Sequence, residues 1–174
     1  MLGNDIQRFL RLEEAADHLH RQLGQLQLVG IDGWMQTGKT PLAKLLACKH
    51  SGCHLDLDTF VARKKGKFVA ALQLRSLAAA INNASVPVFV SGVCLLAVFR
   101  KLGIELDSYI YLKRLGAGIW ADENEILGDS LAKYEQAGIE PCPLSYEVRD
   151  YHLEYLPHEQ ANHVIELADG ALLV

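Results

Sequence analysis

The 174-residue chain predicts a three-layer α/β fold around a mostly parallel five-stranded sheet, and three observations point to it. Apolar runs with strand character recur at 26–32, 54–60, 86–91, 108–112 and 162–167, and helical periodicities lie between them. The first run leads straight into a glycine-rich turn that opens a helix. Strands alternating with helices imply parallel pairing with both faces of the sheet covered. The length fits one domain, and 50% apolar content supplies its core.

The most informative stretch is Leu26 to Ala47. It contains Gly33, Trp34, Met35, Gln36, Thr37, Gly38, Lys39 and Thr40, which fit the pattern Gly-x4-Gly-Lys-Ser/Thr at every fixed position. Phosphate oxygens need several backbone N–H groups at once, so the loop must fold back on itself, and glycines at its two ends tolerate that geometry. Lys39 opens a helix whose positive dipole end faces the anion. Its ammonium is expected to meet the β- and γ-phosphates, and the Thr40 hydroxyl to ligate Mg²⁺. Pro41 falls in the first helical turn, where a missing N–H costs least. A chance match would lack the strand before and the helix after.

Net charge −4 and pI near 5.9 give no general reason to expect nucleic acid as a partner. No apolar stretch is long enough to span a membrane, and no basic and apolar leader opens the chain. A soluble cytoplasmic protein is the expectation. Cys48, His50, Cys53 and His54 look like a metal cluster, but they straddle a helix end and a strand start and have no second half downstream, so zinc is not expected.

From the N-terminus, residues 5–23 place Ile6, Phe9, Leu10, Ala16, Leu19 and Leu23 at helical spacing, predicting one amphipathic helix packed on the domain (1–24). His54 to Phe60 alternates and reads as a strand ending in carboxylates. The carboxyl ends of strands border the ligand crevice in open α/β sheets, making Asp56 and Asp58 catalytic candidates that share one strand face. Arg63-Lys64-Lys65-Gly66-Lys67 is a dense basic patch, read as a solvated loop ahead of a phosphate clamp. A helix is predicted over 68–81, a strand with Pro87 near its start, then helix 95–102 and strand 108–112. Lys113 and Arg114 follow that strand, where cations could meet a transferred phosphoryl group. The 113–142 segment reads as a flap. Helices over 131–136 and 145–156 and a last strand over 162–167 complete the chain.

Three parts resemble the uridine kinase-like branch of the phosphate-loop nucleotide-binding proteins. They are Gly33 to Thr40, Asp58-Thr59-Phe60 after the second strand, and Glu147 to Pro157 with Asn162 to Glu166 at the close. The resemblance implies phosphoryl transfer from ATP with Mg²⁺ to a hydroxyl of a small molecule, often a nucleoside. It also implies that Asp58 acts as the base; Asp56, on the same strand face by its i, i+2 spacing, is placed to help hold the metal. The chain differs from the family pattern at Ser91-Gly92, where a carboxylate is usual, and in having only Lys113 and Arg114 where the flap is usually rich in arginine.

Two functions follow. One is an ATP-dependent small-molecule kinase with Lys39 and Thr40 on phosphates and metal, Asp58 as base, and Arg114 or Arg149 on the transferred charge. The other is a nucleotide-binding regulatory module with little catalysis. A hydrolase using Ser91 is disfavoured, because the glycine two residues before the serine is missing.

Overall fold

The computed structural model describes residues 5–62 and 66–168. Six strands form one parallel sheet in the order β1 (Asp5–Phe9), β7 (His163–Leu167), β5 (Ser108–Gly116), β2 (Leu28–Gly33), β4 (Val88–Ser91) and β3 (Cys53–Asp56). A two-residue strand, β6 (Ile119–Trp120), pairs antiparallel with the end of β5. The sheet thus has more strands than the five expected.

The central strands are buried on both sides, and successive residues feed two different cores. In β5, Tyr109 and Tyr111 belong to one cluster while Ile110 and Leu112 belong to the other. In β4, Val88 and Val90 face one way and Phe89 the other. This period of two divides the molecule into layers. On one face pack α1 (Leu12–Gln22) and α2 (Lys39–Lys49), through Leu12, Ala15, Ala16 and Leu19, and through Leu42, Ala43 and Leu46. On the other lie α4 (Leu74–Asn83), α5 (Leu95–Leu102) and α8 (Pro143–Tyr155), contributing Leu77, Val98, Phe99, Val148 and Tyr151. Each fully enclosed Leu or Ile contributes about 1.5–3 kcal/mol.

The largest departure from expectation is at the N-terminus. The segment predicted as one helix starts as strand β1, in register with β7 so that Arg8 stands opposite Glu166 and pairs with it at 2.9 Å. Ile6, assigned to the buried helical face, is 56% exposed, and Leu10 is 71% exposed. Apolar residues at 6, 9 and 10 fit a helix as well as they fit a strand. The deciding partner lies about 158 positions away, out of reach of local periodicity.

Two other elements are cut short. The alternating run from His54 is strand only to Asp56 and turns into a 3-10 helix at Leu57–Phe60, because the Asp56 carboxylate accepts the Asp58 N–H at 3.1 Å. The helix expected over 68–81 divides into α3 (Phe68–Ala71) and α4, with Leu72 bridging Val61 between them. The 113–142 segment carries the end of β5, β6, α6 (Glu123–Ile126) and α7 (Ser130–Gln136), with Ile126 and Leu131 buried. A short α9 (Pro157–Gln160) leads into β7. All four cysteines are free. Among the described residues no helix is long and apolar enough to cross a membrane.

Candidate functional site

The phosphate loop runs from the end of β2 to the first turn of α2. Gly33 has φ 152°, and an added Cβ would lie 2.6 Å from the Leu112 carbonyl oxygen, so β5 leaves room for glycine alone. Gln36 at φ 61° and Gly38 at φ 93° also occupy the left-handed region, the former at a cost for a residue with a side chain. Positive φ values alternating with ordinary ones bring successive N–H groups onto a concavity, the arrangement that receives anions. Gly38 then caps α2, and its carbonyl accepts the Leu42 N–H at 3.1 Å.

Behind the loop stands Asp32, fully buried at the end of β2. One of its oxygens accepts the Gly33 N–H at 2.7 Å. The other accepts the Leu95 N–H at 3.1 Å and the hydroxyls of Tyr109 and Tyr151 at 2.8 and 2.6 Å. The buried charge is met by donors on every side. It ties the loop to α5, β5 and α8 at once. Sequence reasoning passed over Asp32; the signal was a lone acid inside an apolar strand, which is tolerated only where donors converge.

Lys39 is 8% exposed, and its ammonium donates to the Trp34 carbonyl and, at 3.4 Å, to the Thr37 hydroxyl. Burial lowers its pKa to about 8, against the opposing pull of Asp32, Asp58, Asp122 and Asp56. The Thr40 hydroxyl donates to Asp56 Oδ2 at 3.0 Å and lies 3.5 Å from the Ser91 hydroxyl. Ser91 in turn is 2.8 Å from His54 Nε2. Register explains the grouping: Asp56 pairs with Ser91 across β3 and β4, and Ser91 pairs with Ile31 of β2 just before the loop. Three oxygen ligands of this kind suit a hard cation such as Mg²⁺.

A cavity of about 540 Å³ opens above these residues. It is lined by Met35 to Pro41, Asp56, Asp58, Gly92, Val93 and Leu144, and by Leu12 and Glu13 from α1. Lys39, Thr40, Asp56 and Asp58 therefore share one space, while Gly33 and the buried Trp34 lie behind it. Partial enclosure and the neighbouring Asp56 charge raise the Asp58 pKa, with Lys39 working the other way. Glu13 and Leu12 carried no signal in the sequence, because nothing in a local pattern shows that α1 ends its approach beside the loop.

The other cations are engaged elsewhere. Arg114 does not line the cavity; it pairs at 2.6 Å with Asp122, whose side chain is completely buried. Arg149 donates to the carbonyls of Ile126 and Gly128 at 3.4 and 3.1 Å, closing the end of α6. Lys113 sits 4.3 Å over the Trp120 ring. Of the basic patch at 63–67, residues 63–65 lie outside the described residues.

No family model matches the chain, and no curated protein matches it in sequence. Among solved structures, the chain is similar to a protein from Bacillus stearothermophilus described as a possible uridine kinase. The TM-score is 0.56 at 15% identity, over 88% of this chain and 98% of that one. A weaker likeness, with TM-score 0.47 and 15% identity over 90% and 99% of the two chains, is to a Silicibacter protein provisionally assigned as a fructose transport system kinase. The first likeness covers most of both chains. The chain therefore shares the fold of that protein, a mostly parallel sheet with helices on both faces.

Proposed function

We propose that this chain is a kinase that transfers the γ-phosphoryl group of ATP, with Mg²⁺, to a hydroxyl of a small molecule. The observation that carries the reading is the meeting of the loop, Lys39, Thr40 and the Asp58 carboxylate on one cavity. Gly33 to Thr40 holds the phosphates by backbone donors, and Lys39 neutralises their charge. Thr40 and Asp56 hold the metal, with Ser91 beside them. Mg²⁺ supplies charge neutralisation across the phosphates.

Asp58 orients the acceptor and takes its proton. As the acceptor oxygen bonds to the γ-phosphorus, the bond from that phosphorus to the bridging oxygen breaks and its electron pair leaves with ADP. The hydroxyl proton passes to the Asp58 carboxylate, whose raised pKa suits a group that must hold a proton briefly. The loop and Asp58 are separable by experiment. Lys39→Ala should abolish ATP affinity, whereas Asp58→Asn should keep it and lose transfer. An Asp58→Asn protein as fast as the parent on a true acceptor would sink the assignment.

A second reading, a nucleotide-dependent regulatory module with little catalysis, draws support from the Arg114–Asp122 pair, which engages one of the two cations near the end of β5. Incubation of the protein with labelled ATP and a broad set of hydroxyl compounds separates the two. The module should label none of them while still losing nucleotide affinity in Lys39→Ala.

A further inference from the structure

Side chains alternate along β3, so His54 and Asp56 share one face. The register sets His54 beside Phe89 and Asp56 beside Ser91 on β4. Phe89 belongs to the same core as Leu42, Ala43 and Leu46 of α2, so this face looks at α2, whose first turn carries Thr40. His54 is not part of the cavity wall. It stands one step behind the oxygens of Thr40, Asp56 and Ser91.

The hydrogens in this group can be assigned by accounting. Ser91 is fully buried, with one hydrogen to give and two lone pairs to offer. Thr40 has already given its hydrogen to Asp56 Oδ2 at 3.0 Å. Ser91 Oγ lies 2.8 Å from His54 Nε2 and 3.5 Å from Thr40 Oγ1. If Nε2 carried a hydrogen and donated it to Ser91, the serine hydrogen would be left with Thr40 alone, at the outer limit of a hydrogen bond. A buried donor would then go nearly unmet, and it would point toward the Thr40–Asp56 pair. If Nε2 accepts instead, the serine hydrogen is met at 2.8 Å and turned away from that pair. The imidazole hydrogen then sits on Nδ1, and the serine lone pairs are left for a hard cation.

We infer that His54 is a positioning residue for the cation site: its Nε2 takes the hydrogen of Ser91 and so makes that hydroxyl a third oxygen acceptor beside Thr40 and Asp56. The inference rests on the kinase reading for the identity of the cation as the Mg²⁺ that accompanies ATP. The place of the hydrogen and the affinity for a cation are both measurable without transfer or nucleotide.

Two measurements on the full chain test it. At about pH 8, above the ordinary histidine pKa, ¹⁵N NMR should show His54 bare at Nε2 and protonated at Nδ1. Mn²⁺, a probe that also takes oxygen ligands, is titrated into the nucleotide-free chain and followed by electron paramagnetic resonance. His54→Phe keeps a ring but no acceptor, and should weaken Mn²⁺ about tenfold. Ser91→Ala should lose as much, and the double variant no more than either alone. His54→Gln, whose side-chain oxygen accepts the same hydrogen, should recover most of the affinity. A histidine that only braces β3 against β4 would lower the melting temperature in the Phe and Gln variants alike and leave Mn²⁺ affinity untouched. That result, a hydrogen on Nε2, additive losses in the double variant, or a parent chain that binds no Mn²⁺ would overturn the inference. Failure of the parent to bind ATP while the Mn²⁺ pattern holds would instead overturn the kinase reading alone.

Discussion

Thr40 Oγ1 donates to Asp56 Oδ2 at 3.0 Å, across the position of Ser91 rather than to it. The acid nearest the Thr40 hydroxyl therefore comes from β3 at the sheet edge, while its neighbour on β4 contributes only a hydroxyl. Asp56→Asn is expected to weaken Mg²⁺-dependent ATP binding roughly 10- to 100-fold. Metal-free binding, which rests on the loop and Lys39, should change little. Titrations with and without Mg²⁺ check this, and an equal loss in both would remove Asp56 from the metal.

Asp32 is the hub behind the loop, with four donors on its two oxygens. Asp32→Asn presents an NH₂ where only acceptors can be satisfied, so urea unfolding should show a loss of about 3 kcal/mol. Tyr151→Phe, which removes one donor and leaves the carboxylate otherwise satisfied, should cost about 1–1.5 kcal/mol.

Arg114 is bound to a buried acid. Truncating it leaves Asp122 without its counter-charge, so Arg114→Ala should lower stability by about 1–3 kcal/mol. Adding Asp122→Asn should restore most of the loss. A stable Arg114→Ala protein would show that the pair contributes nothing to folding.

His152 is fully buried. Its Nδ1 faces the Val148 carbonyl at 2.6 Å and must carry the hydrogen, which leaves Nε2 to accept the Tyr111 hydroxyl at 2.7 Å. Burial lowers its pKa, outweighing the pull of Asp32. The unfolded chain therefore takes up a proton before the folded one does. Stability is retained above the ordinary histidine pKa of about 6.5 and falls as the pH drops below it, by at most about 1.4 kcal/mol per pH unit for this group. Denaturation midpoints measured from pH 7.5 to 5 should decline, and less steeply in His152→Gln. His50, His54 and His158 are lowered by burial as well and add to the slope in the parent.

What the sequence disclosed was local. Gly33 to Thr40 is legible because every residue the loop needs lies within eight positions, and its strand and helix flank it directly. The i, i+2 spacing of Asp56 and Asp58 predicts one shared strand face, yet the chain leaves the strand at Asp56, and Asp58 reaches the cavity from a 3-10 turn. What stayed hidden depends on distant partners: β1 against β7, Glu13 beside the loop, and the acids Asp32 and Asp122 whose donors come from other elements. Periodicity records which side of an element is greasy, and is silent about which element will cover it.

The pairing of β1 with β7, fastened by Arg8 and Glu166, joins almost the first described residues to almost the last. As the chain is synthesised, β1 leaves the ribosome some 150 residues ahead of the strand it must lie against. Until then its apolar side chains and unpaired amides wait beside a growing, half-built molecule. Closure of this edge is a late event in biosynthesis, and any shortening of the tail through β7 would leave the opening strand with nowhere to dock.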